Sequence, residues 1–186
     1  SPFQEGVLAA DLVLGDQPAY LATMKLKFDG HLEVEMLQSA WRSTVAREEM
    51  LRTAFIPSPQ NLAINGFCSG AFLQAVLRCD SNEVERVSTL RQQEFDPQPE
   101  LGMGHIPVSL ALRQNDATGA ITIELTMHHA LYDEAYLSCV LDGLSRDYHH
   151  THDTSPTNDG QDSHMPFTAF IHTLQKKDRS VASSFW

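Results

Sequence analysis

Basic residues are scarce in this sequence: 13 lysines and arginines stand against 24 aspartates and glutamates, for a net charge of −11. No basic block stands out among them. A protein that neutralises a phosphate backbone needs such a block, so DNA or RNA binding is disfavoured, and docking on an anionic membrane surface falls with it. Also missing are any apolar run near the ~20 residues of a bilayer span and a charged-then-apolar leader. The expectation is a cytoplasmic chain. Cysteine is limited to Cys68, Cys79 and Cys139, an odd number without metal-type spacing, which reads as reduced thiols. There is no glycine-rich phosphate loop of the dinucleotide or P-loop kind, and no internal repeat.

What is present is an ordinary globular balance: 42% hydrophobic and 20% charged residues over 186 positions, enough to bury a real core. Apolar residues at Phe3, Val7, Leu8, Leu12 and Val13 have helical spacing, predicting a helix over 2–14. YLATMKLKF alternates as a strand, and 31–48 reads as an amphipathic helix with Leu32, Met36, Ala40, Trp41 and Val45 on one face. Strands are expected over 50–56 and 71–78, followed by a helix over 82–95. DPQPELGMG is broken by proline and glycine. Strands over 105–113 and 120–127 flank a polar turn as a hairpin, and a helix runs over 133–149. Residues 150–165 read as a mobile polar loop, and a last helix starts at Pro166. Strands alternate with helices but hairpins are mixed in, so the fold class is α/β (α+β), a mixed β-sheet with helices packed on it.

The chemistry-bearing stretch is HHALYDE, from His128 to Glu134, at a strand-to-helix crossing. Side chains alternate along a strand, so His128 and His129 point to opposite sides and do not share one metal ion. A zinc site would also need further ligands at helical spacing, and none is found, so no metal is expected. A neutral imidazole can accept a proton from an incoming nucleophile; it can equally be a buried histidine satisfied by backbone. Asp133, at a helix start, can cap the helix, or it can pair with an arginine and fix the loop that presents His129. Arg47 and Arg52, at a helix-to-strand transition, are the candidates for that pairing.

These residues, together with four other segments in order, resemble the N-terminal lobe of a condensation domain of nonribosomal peptide synthetases, in a fungal style. HHALYDE is similar to the family's His-His-x-x-x-Asp-Gly signature, and REEMLRTAF (47–55) to its Arg-His-x-x-Leu-Arg-Thr-x-Phe. SPFQEGVLAADL resembles its first helix, EFDPQPELGMGHIPVSLAL the Phe-Asp segment and following strand, and PFTAFIHTLQKKDRSVASSFW the helix that closes the lobe.

The resemblance implies a chloramphenicol acetyltransferase-like fold in which residues 1–186 form one lobe of a V-shaped pair, the C-terminal lobe being absent. It implies an acyltransferase-type activity that joins a carrier-bound acyl or peptidyl donor to an aminoacyl acceptor through an amide bond. The implied partners are upstream and downstream peptidyl carrier domains, an adjacent adenylation domain and the missing lobe. No cofactor is bound directly; the carriers bring phosphopantetheine arms into a tunnel between the lobes. The second signature histidine, His129, would position or deprotonate the attacking amine. Asp133 would form a structural ion pair with Arg47 or Arg52, and His128 would support the loop. The lone lobe is expected to be inactive.

One departure matters: the signature's glycine is Glu134 here. In the family this position lies beside the donor-side tunnel, where a carboxylate adds bulk and charge to substrate access. A degenerate, non-catalytic carrier-docking domain is therefore an alternative, as is a terminal macrocyclising condensation domain. The plant-type acyl-CoA acyltransferases share His-x-x-x-Asp, but the histidine doublet and LRTAF favour the synthetase branch. A self-standing metal-binding or structural protein is the reading from a different class.

Overall fold

The computed structural model describes residues 2–14, 20–28, 32–57, 72–92, 104–114 and 120–150, with Ala169, His172, Thr173 and Lys176 beyond them. Cys68, most of the irregular DPQPELGMG stretch and the 150–165 loop past His150 lie outside the described residues. Cys79 and Cys139 are exposed free thiols.

Helix α1 (Pro2–Leu14) buries Gln4, Val7 and Leu8, whereas Phe3 remains 58% exposed. Strand β1 (Leu21–Phe28) pairs antiparallel with β5 (Ile121–His128), which pairs antiparallel on its other side with β4 (Val108–Gln114). The order β1-β5-β4 puts β5 in the centre, with Leu21 opposite His128 and Val108 opposite Met127. The alternation on β5 buries Ile123, Leu125 and Met127, while β4 is buried throughout Val108–Leu112. On the other face Glu124 sits between Lys25 at 3.2 Å and Arg113 at 3.4 Å. Burial opposes its ionisation, but those two cations win and hold its carboxyl below the usual value.

Helix α2 (Val34–Arg47) turns Leu37, Ala40, Trp41, Thr44 and Val45 inward. Met36, expected on that face, is only half-buried, and Leu37 takes the place. The Trp41 indole is fully buried, and its N–H donates to the Val87 carbonyl at 2.8 Å, so no polar group is stranded. That bond ties α2 to α3 (Asn82–Ser88), which Ser81 caps by accepting from the Val84 N–H.

The helix expected over 82–95 stops at Ser88. The Gln38 side chain takes both of the next backbone groups, donating to the Ser88 carbonyl and accepting from the Leu90 N–H, each at 2.7 Å. With Leu90 buried, Arg91 then forms a parallel bridge to Ala111 on β4. Parallel pairing therefore enters the sheet through this bridge, and the named strands pair antiparallel.

The strand expected over 50–56 is also partly displaced. Glu49–Arg52 form a 3-10 turn, and β2 (Thr53–Pro57) begins after it, pairing with β3 (Phe72–Val76) in a second sheet. Helix α4 (Glu134–His150) packs on α2 and buries Val140, Gly143 and Leu144. Ala169, His172, Thr173 and Lys176 are helical and belong to a separate compact unit; the Thr173 hydroxyl there donates to the Ala169 carbonyl at 2.9 Å. Sheets with helices packed on them make the fold class α/β, as expected.

Candidate active site

The loop from His129 to Asp133 leaves the central strand and enters α4. Its exit is fixed by the segments leading into both neighbouring strands. The His128 N–H donates to the Pro107 carbonyl at 3.0 Å, and the His129 N–H to the Tyr20 carbonyl at 2.8 Å. The loop then closes on itself, with the Leu131 N–H donating to the His128 carbonyl at 2.9 Å. Ala130 and Leu131 are buried beneath it.

The two histidines have different surroundings. His128 is 2% exposed. Its Nδ1 accepts from the Ala130 N–H at 3.1 Å, so the ring proton of the neutral imidazole lies on Nε2, which donates to the Asp11 carboxylate of α1. A second proton on Nδ1 would confront an N–H donor, so this contact is a charge-assisted hydrogen bond to a neutral ring. His129 is half-buried, its Nδ1 3.0 Å from the Tyr132 carbonyl. A carbonyl can only accept, so Nδ1 carries a proton, and in the neutral ring the lone pair is on Nε2. The imidazole stacks on the Tyr132 ring (centroids 4.9 Å apart, 23° between planes) and meets the Phe3 ring edge-on at 5.6 Å. It is thus held at Nδ1 and by two neighbouring rings, with Nε2 on the other side of the ring.

Asp133 does not form the expected ion pair with Arg47 or Arg52. Its Oδ1 accepts from the Tyr136 N–H at 2.8 Å and its carbonyl from the Leu137 N–H, which makes it the N-cap of α4. Both arginines are committed elsewhere. Arg47 makes a two-pronged contact with Asp147, at 3.0 and 2.8 Å, and reaches Glu48 at 3.3 Å. Asp147 lies near the other end of α4, on the order of 20 Å along the helix from Asp133. Burial acts against the Arg47 charge, but the Asp147 and Glu48 carboxylates prevail and raise its pKa. Arg52 spans the turn into β2, donating to the carbonyls of Val45 at 3.1 Å and Leu77 at 2.6 Å. It braces the helix-to-strand transition.

Glu134, the first residue of α4, is exposed, and its carboxylate lies at the positive end of the helix. Tyr136, two residues on, reaches the Glu48 carboxylate at 3.4 Å; burial and then that charge push its hydroxyl pKa up, so it stays protonated. Among the described residues no group of three His, Cys, Asp or Glu could hold a metal ion, and no described helix is long and apolar enough to cross a membrane.

Comparison with known proteins decides the family, since the sequence matches the model of the Condensation domain over residues 1–186. The chain belongs to the condensation domain family. Among its relatives, nonribosomal peptide synthetase agiA of Aspergillus flavus is 38% identical over 199 residues. Nonribosomal peptide synthetase cm3A of Cordyceps militaris is 29% identical over 187. Each match covers 100% of this chain, but the chain spans only 3% and 4% of those proteins. Among solved structures, a mutant of the starter condensation domain of rhizomide synthetase RzmA superposes with a TM-score of 0.74 at 14% identity. That match covers 100% of this chain and 46% of the other. SgcC5 from Streptomyces globisporus gives 0.64 at 16% identity, covering 99% of this chain and 44% of its own. These likenesses show the same fold, the chloramphenicol acetyltransferase-like fold of condensation domains.

In this condensation domain the residues that hold the signature loop include several that the motif does not contain. Gln4 donates from Nε2 to the Ala130 carbonyl at 2.8 Å, and Asp11 meets His128, so α1 grips the loop at two points. A signal for Asp11 was present: it lies two helical turns after Gln4, on the stripe shared with buried Val7 and Leu8. An ionisable residue on an apolar stripe calls for a buried partner.

Proposed function

We propose that this chain is one lobe of a condensation domain that forms an amide bond between two carrier-bound thioesters in nonribosomal peptide synthesis. The aminoacyl acceptor's amine attacks the donor thioester carbonyl, the carbon–sulfur bond breaks, and the amine proton passes finally to the departing thiolate. His129 takes or orients that proton at Nε2. The observation that carries this reading is the hydrogen bond at Nδ1: the Tyr132 carbonyl selects the neutral tautomer with its proton on Nδ1 and its lone pair on Nε2. The partners are upstream and downstream peptidyl carrier domains with their phosphopantetheine arms, an adenylation domain, and a second lobe from outside these 186 residues. The setting is the cytoplasm.

The test is His129→Ala in the full-length synthetase, with both carriers loaded and the amide product measured by mass spectrometry. Loss of a general base costs about 10²–10⁴-fold, and a loss of that size is expected. Unchanged product would overturn the catalytic role and favour the second reading, a non-catalytic carrier-docking domain. What favours that reading is Glu134, standing exposed where the signature has glycine. Glu134→Gly should raise turnover if the carboxylate obstructs the donor; an unchanged rate would refute the obstruction.

A further inference from the structure

We infer that Asp11 is a positioning residue for His129, acting through His128; the inference rests on the catalytic reading of His129 given above. His128 is 2% exposed and uses both ring nitrogens, one toward Asp11 on α1 and one toward the Ala130 N–H in the loop. It is therefore a rigid strut between the first helix and the residue that follows His129. Gln4, seven residues before Asp11 and also buried, fixes the other side of the same residue by donating to the Ala130 carbonyl. Both hydrogen-bonding groups of Ala130 are thereby occupied, each by a side chain whose position α1 sets. Phe3, on the same helix, closes on the His129 ring itself.

The geometry also says what Asp11 must supply. With the Nδ1 lone pair of His128 used by Ala130, Nε2 can only donate, so position 11 must present an acceptor oxygen at that reach. A carboxamide does so; a hydrocarbon does not, and it leaves a buried N–H unsatisfied. The strut then loses one end, and the loop loses the register that aims His129. A displacement on the order of 1 Å at a reacting group can cost about 10²-fold in rate.

The experiment compares Asp11→Asn, Asp11→Leu and the exposed α1 control Ala9→Gln with His129→Ala in the intact synthetase. Asp11→Leu should lower kcat about 10- to 100-fold at unchanged acceptor KM, Asp11→Asn should restore it to within a few-fold, and Ala9→Gln should leave it unaltered. Hydrogen exchange gives a readout that does not depend on activity: the amides of Ala130 and Leu131 should exchange faster in Asp11→Leu and not in Asp11→Asn. Should Asp11→Leu fail to fold, Asp11→Ser, whose hydroxyl is too short to reach, carries the same expectations. Full kcat together with unchanged exchange in Asp11→Leu or Asp11→Ser overturns the inference, as does failure of Asp11→Asn to restore kcat. If His129→Ala itself retains activity, the catalytic reading falls, whereas the exchange result still decides whether Asp11 fixes the loop.

Discussion

At the scale of single residues, the signature loop shows how one motif letter can be satisfied in a way the motif does not suggest. Asp133 lies beside the catalytic candidate, yet its carboxylate serves the backbone of α4. Replacing it with alanine should cost about 1 kcal/mol of stability, the usual worth of an N-cap, measured by urea unfolding. Arg47→Ala and Arg52→Ala should show no energetic coupling to Asp133→Ala in double-mutant cycles; coupling above roughly 0.5 kcal/mol would contradict this geometry. The sequence expectation that the two histidines differ in role meets different surroundings in the fold, His128 buried against Asp11 and His129 half-buried against Tyr132. The cap role of Asp133 was one of two readings open in the sequence, but the partners of the arginines were not legible, because three-dimensional reach, rather than sequence spacing, decides which carboxylate a long guanidinium meets.

Charge at the residue scale also sets an acid limit. Glu124 and Glu83 both have pKa values lowered in the fold despite burial, Glu124 by Lys25 and Arg113, Glu83 by Arg86 and then His105. A lowered folded-state pKa means the unfolded chain binds protons more readily. Their stabilisation is therefore fully present above the ordinary carboxylate value near 4.5 and is lost as pH falls through the folded values. Glu124→Gln should flatten the loss of Tm below about pH 4.5 in thermal unfolding followed by circular dichroism.

At the scale of elements, periodicity located α2 and α4, which each have one face set by burial, and α1, while the polar turn between two apolar runs located the β4–β5 hairpin. It failed where a side chain from elsewhere intervened. Gln38 ends α3 early by taking the Ser88 carbonyl and the Leu90 N–H, and no local propensity encodes a partner on another helix. The contact between α2 and α4 holds a second case of this kind. A Cβ at Gly143 would stand 2.5 Å from Arg47 Nη2, so the glycine is the gap through which the guanidinium reaches Asp147. Gly→Ala inside a helix ordinarily stabilises by about 0.5–1 kcal/mol. Here the gain should be largely cancelled, because the flexible, partly exposed Arg47 side chain must leave Asp147 to make room, and it should return once Arg47→Ala has emptied the gap. A stabilising Gly143→Ala in the parent background would show that Arg47 yields its place freely.

At the scale of the whole molecule, the chain corresponds to 46% of the rhizomide starter domain chain it superposes on. On the proposal that this chain is one lobe of two that form the site together, the 186-residue chain assayed by itself should give no amide product with loaded carriers. Detectable turnover by mass spectrometry would show that one lobe is sufficient. The sheet that presents the signature loop has β4 as one outer strand. Among the described residues, Arg91 bridges the outer edge of β4, donating its N–H to the Leu110 carbonyl and accepting from the Leu112 N–H. An uncovered edge offers open backbone groups on which a foreign strand can zip. Among the described residues, this bridge is what occupies such groups on the strand beside β5. Arg91→Pro, which lacks the N–H, should turn a change remote from the catalytic loop into concentration-dependent aggregation, visible as light scattering that grows with protein concentration.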